Sequence, residues 1–134
     1  MMRLEVAAVY VGLNILILLV LSYLVMAGRR RHKIALGDGD NPNFIRAQRA
    51  HANAAEYIPA GLIGLVVLAL LEPAAPLWLL HGSGISLTAG RILHDVGLHQ
   101  GTLNFGRMAG TALTWLAYLL IGGGLLYAGF SQQL

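Results

Sequence analysis

Arg49, Asn53 and Glu56 follow one another at steps of four and three, so on a helix they lie along one stripe, which Arg46 extends by a further turn. Arg91, His94 and Asp95 fall within a single turn, and Arg107 opens a polar row continued by Thr111, Thr114 and Tyr118. Guanidinium groups fork onto carboxylates and phosphates, and a carboxylate such as Glu56 can receive an ammonium. A guanidinium beside a thiol favours the thiolate. The chain has no cysteine, so any thiol chemistry here would use a thiol brought by a substrate. His51, His94 and His99 raise the question of a metal. His94 and His99 are five residues apart and miss a common face, so no metal site is expected.

These polar residues sit in an apolar chain. It has 134 residues, 57% hydrophobic and 11% charged, with a mean hydropathy of +0.67. A soluble domain of that size cannot hide so much apolar surface, whereas an integral membrane protein exposes it to lipid. Spanning helices need roughly 20 mostly apolar residues. Four such segments occur, at about residues 4–27, 44–71, 77–98 and 106–130, which predicts an all-α, multi-pass, four-helix membrane bundle forming one domain. The cluster Arg29–Lys33 reads as a stop signal beside the first helix rather than a nucleic-acid patch. Gly37 to Pro42 is a turn cluster, with Asn41 as N-cap and Pro42 at the first helical position; Pro42 also spoils the spacing of a calcium loop. Glu72 to Pro76 reads as a tight turn, and Gly101 to Asn104 joins the last two helices. Lys and Arg concentrate at the first and third connections, which are expected in the cytoplasm with both termini on the opposite side. Small residues at Ala60 and Gly64, Gly82 and Ser86, and Gly106 and Gly110 are spaced for close helix packing.

An ionisable group in a spanning segment costs roughly 2.5–3.5 kcal/mol at mid-membrane, so such residues face the bundle interior or a wet cavity. At about 1.5 Å per residue, Glu56 and Arg91 both lie roughly 21–22 Å from the far-side ends of their helices. An interhelical ion pair between them is therefore natural, either as a purely structural bridge or as part of a site. Asn53 and Asp95 share a level roughly 27 Å up, and Arg49 and Arg107 one roughly 33–35 Å up. Pro59 cannot donate to the carbonyl of Ala55, so a kink is expected beside Glu56.

The segment Arg49-Ala50-His51-Ala52-Asn53-Ala54-Ala55-Glu56-Tyr57-Ile58-Pro59 resembles the helix-two signature of the membrane-associated proteins in eicosanoid and glutathione metabolism, the MAPEG family. Gly90 to His94 is similar to the helix-three motif, and Arg107 falls where the family often has a helix-four arginine. The similarity covers about residues 44–115. It implies a homotrimer with sites between neighbouring subunits, open to the cytosol, where glutathione is the co-substrate. By matching position, Arg49, Asn53 and Glu56 would contact glutathione, Arg91 and His94 would support it, and Arg107 would face the thiol as the catalytic residue. Ala52 departs from a second helix-two arginine of several animal members. Met108 and Thr111 stand where some members carry a serine and a tyrosine near the thiol, so activation would rest on Arg107, with Thr111 beside it.

The function expected is a glutathione-dependent transferase or peroxidase acting on lipophilic small-molecule electrophiles drawn from the bilayer. The alternative is a non-catalytic lipid-binding or scaffolding membrane protein of the same fold, because a fold alone does not make an enzyme. A small multidrug transporter is disfavoured, since the first helix carries no interior carboxylate.

Overall fold

In lipid, apolar runs of this length satisfy their backbone groups only by coiling into helices. The structure, a computed structural model, describes residues 2–71, 75–101 and 103–131. It contains α1 (Met2–His32), α2 (Pro42–Leu70), α3 (Leu77–Gln100) and α4 (Phe105–Ser131). Of the expected turn at 72–76, residues 72–74 lie outside the described residues, as does Thr102 of the last connection. α1 runs past its apolar stretch because Arg29, Arg30, Arg31 and His32 occupy its last turn, where cations suit the helix dipole. Asn41 caps α2, its side-chain oxygen accepting from the N–H groups of Asn43 and Phe44, both at 3.1 Å. At the start of α4 the Asn104 oxygen accepts from Arg107 N at 3.1 Å, while its amide donates to the Gly97 carbonyl at 2.9 Å. α2 remains helical through Pro59.

α2 and α3 each contact all three other helices, whereas α1 and α4 stand on opposite flanks. α3 and α4 approach closest, through glycines. A methyl at Gly90 would stand 2.9 Å from the Gly110 carbonyl oxygen, and one at Gly110 would stand 2.5 Å from His94 N. α1 and α3 meet where the Tyr10 ring covers Gly84. There Tyr10 Oη lies 2.8 Å from His81 Nδ1, and Asn14 Nδ2 donates to Thr88 Oγ1 at 2.8 Å. One apolar cluster, including Ala7, Leu65, Leu80 and Ile121, fills the end near His81. Another, including Leu21, Ala54, Ile58 and Leu98, fills the opposite half. The Arg46 guanidinium lies against Gly101, which ends α3 at φ +100°, so the first and third connections share one end of the bundle.

Many large apolar side chains are exposed along α1 and α4, Leu19 and Leu119 among them. That surface would be untenable in water and is the solvated face of a bundle in lipid. By length and composition, α1, α2 and α4 are apolar enough to cross a membrane. α3 has 24 residues and falls short on apolarity because it carries Arg91, His94, Asp95 and His99. The bundle accommodates them by turning the first three inward, so that Arg91, His94 and Asp95 are all buried.

Candidate functional site

Arg91 is the centre of the polar layer and is only 1% exposed. Its Nη1 donates to Asn53 Oδ1 at 2.7 Å, joining α3 to α2. Its Nε and Nη2 donate to Thr114 Oγ1 at 3.1 and 2.7 Å, joining α3 to α4. The Thr114 hydroxyl proton goes to the Gly110 carbonyl at 2.8 Å, which leaves its lone pairs for the guanidinium. The fourth side is the Tyr57 ring, whose centroid lies 5.1 Å from the guanidinium carbon. Tyr57 packs edge-on against Tyr118, and Tyr118 donates to the Tyr57 carbonyl at 2.6 Å. One cation thus ties three helices together.

The expected ion pair between Glu56 and Arg91 is not formed. Glu56 is exposed, and Asn53, one turn earlier, turns inward to the guanidinium. The physical reason is azimuth. At 100° per residue, Arg49 and Glu56 point within about 20° of each other, while Asn53 is offset from them by roughly 40–60°. That offset carries Asn53 into the bundle and leaves Arg49 and Glu56 on its surface. The stripe of four divides again at Arg46, which packs on the end of α3.

His94 and Arg107 meet on the other side of α3. They line a cavity of about 340 Å³ between α3 and α4 with Thr111, Met108, Leu103 and Trp115. The buried His94 Nδ1 and Arg107 Nε have no hydrogen-bond partner among the described residues. The Thr111 hydroxyl donates to the Arg107 carbonyl at 2.9 Å. His94 Nδ1 also lies 3.8 Å from Asp95 Oδ1, too far for a hydrogen bond. Arg49 and Glu56 are not among the residues lining this cavity.

The chain therefore sorts the six named candidates into three places. Asn53 and Arg91 form the buried tie, His94 and Arg107 face the α3–α4 cavity, and Arg49 and Glu56 stand exposed on α2. Thr114 and Tyr57 complete the tie. The sequence shows Thr114 in the polar row of α4 but does not reveal it as the acceptor for Arg91. No group of three or more His, Asp or Glu gathers among the described residues in a way that could hold a metal ion.

Comparison with known proteins places this arrangement in a family. The chain is 38% identical over 117 residues to Inner membrane protein YecN of Escherichia coli strain K12, an alignment covering 87% of this chain and 86% of that protein. Inner membrane protein YecN of Escherichia coli O6:H1 strain CFT073 matches to the same extent. The profile of the MAPEG family matches residues 7–127. With that match taking in all four helices and the whole polar layer, the chain belongs to the MAPEG family of integral membrane proteins.

Proposed function

We propose that this protein is a glutathione-dependent transferase or peroxidase for lipophilic electrophiles, working at the cytosol-facing end of a homotrimer. The observation that carries the reading is the exposed pair Arg49 and Glu56 on α2, inside a spanning segment. Left to lipid, a charge costs up to roughly 2.5–3.5 kcal/mol at mid-membrane, and less toward the boundary where Arg49 lies. A neighbouring protomer presenting its α3–α4 cavity, with glutathione between, would cover both. Arg49 would take a glutathione carboxylate and Glu56 the ammonium. Asn53 and Arg91 would brace α2 against α3 and α4 from behind, and His94 would offer its unpartnered nitrogen to the peptide. The basic end would face the cytosol by the distribution of Lys and Arg.

Arg107 would act on the thiol. A free thiol of pKa near 8.5 is only about 3% thiolate at pH 7, and lowering that pKa by about two units raises the fraction to roughly three quarters. The proton leaves to solvent. The thiolate sulfur then bonds to the electrophilic carbon as the leaving group departs with its electron pair. With a hydroperoxide, the thiolate takes the terminal oxygen, the alkoxide leaves and picks up a proton, and a second glutathione reduces the sulfenic acid to disulfide and water.

The test is titration of the purified protein with glutathione, followed by thiolate absorbance in the ultraviolet and by conjugation of a chlorinated dinitrobenzene. A saturable signal with turnover supports the reading, and the absence of both refutes it. A second reading, a lipid-binding or scaffolding member without catalysis, draws on Met108 and on the Thr111 hydroxyl being spent on the helix backbone. It expects Arg107→Ala to leave function intact.

A further inference from the structure

Asp95 is the one member of the buried polar layer to which no role has been given. It is 5% exposed, and neither carboxylate oxygen has a hydrogen-bond partner among the described residues. Burying an unsatisfied carboxylate is costly, so a native structure that keeps one calls for an explanation. Asp95 lines a groove of about 640 Å³ between α1 and α3, on the opposite side of α3 from the Arg107 cavity. The α1 wall runs from Leu13 to Leu24, roughly 16 Å at helical rise, which is half of a hydrocarbon core of about 30 Å and so about one leaflet's depth. Ile92 and Val96 form the opposite wall. Thr88, held by Asn14, marks the deep end, and His99 and Gln100 mark the end near the basic loops.

The groove is lined almost wholly by apolar side chains, and Asp95 and His99 lie toward one end of it. His99 Nδ1 is bonded to the Asp95 backbone carbonyl at 2.8 Å, so in the neutral ring Nε2 is left as an acceptor. Asp95 adds a carboxylate, and among the described residues no Lys or Arg lines the groove, the nearest guanidinium on α3 being that of Arg91, one turn away and tied to Asn53 and Thr114. We propose that the α1–α3 groove binds a single-chain amphiphile with a primary ammonium head, its chain along α1 and its N–H donors on Asp95 and His99. A carboxylate head would meet Asp95 as a like charge. A quaternary ammonium would bring charge but no N–H donor. The site is separate from the glutathione reading and does not depend on it.

The experiment measures binding of radiolabelled dodecylammonium to the full chain in nanodiscs, with uptake by empty nanodiscs subtracted. Dodecyltrimethylammonium, dodecanol and dodecanoate serve as competitors. Saturable binding is expected, with each competitor weaker by about tenfold or more, the scale of hydrogen bonds to a charged group. Asp95→Asn should weaken binding by a similar factor, and Val20→Trp, which fills the groove away from the polar layer, should abolish it. Should Asp95→Asn fail to fold, the competitor series and Val20→Trp still decide. Equal displacement by the trimethyl analogue, full affinity in Asp95→Asn, or unchanged binding in Val20→Trp would each overturn the proposal. So would a change of oligomeric mass in Val20→Trp, which would assign the groove to a second copy of the chain.

Discussion

Thr114→Val removes the hydroxyl that accepts from Arg91 at 3.1 and 2.7 Å while keeping the branched shape of the side chain. In soluble proteins a hydrogen bond to a charged group is worth about 1.5–3 kcal/mol. Between helices in lipid the measured average is nearer 0.6, with a maximum of about 1.7 kcal/mol. Two donors share one oxygen on a fully buried cation, so the upper part of the membrane range applies, and a loss of about 1–1.7 kcal/mol is expected. The loss must depend on Arg91. In an Arg91→Met background the same substitution should cost below about 0.5 kcal/mol, because only the bond from Thr114 to Gly110 remains to be lost. Reversible unfolding in mixed micelles, followed by far-ultraviolet circular dichroism, gives all four corners of the cycle. Equal costs in the two backgrounds would mean that the tie contributes nothing, and the account of Arg91 as the joint between α2, α3 and α4 would fail.

Three further outcomes follow from the geometry. Arg107→Met should leave glutathione bound but lower kcat/KM by about 10–100-fold, the loss of one charged hydrogen bond to a thiolate; steady-state conjugation kinetics check it. Glu56→Gln should raise KM for glutathione by about tenfold yet leave KM unchanged for an analogue lacking the α-amino group. Gly110→Leu should destabilise the bundle by about 1–3 kcal/mol or more by wedging α4 from α3, while Gly122→Ala, with nothing within 4 Å of the added methyl, should be tolerated in the same unfolding assay.

Hydropathy makes the helices legible, because it is a property of a single stretch of sequence. Which of Asn53 and Glu56 turns toward Arg91 depends on how α2 rotates against α3 and α4, and that is a property of packing. The rotation is governed by contacts such as Gly61 on Leu87 and Tyr118 and Gly64 on Ile121. The small-residue spacing pointed to Gly106 and Gly110 but not to Gly84, whose partner is an aromatic ring in a distant helix. The apolarity of α3 was overestimated for a related reason. Its polar residues are tolerable only because they are shielded by three neighbours, and no window along one helix contains that information. The missing partners of Asp95 are visible only with the surrounding side chains in place.

Proton release on glutathione binding reports thiolate formation beside Arg107 without relying on turnover. At pH 7 in weak buffer, a bound thiol whose pKa falls by about two units releases roughly 0.7 proton per site, the difference between three quarters and 3% ionised. Saturable release near that value is expected for the full chain, almost none with S-methylglutathione, and almost none in Arg107→Met. Binding without proton release, or no saturable binding at all, would contradict the proposed function.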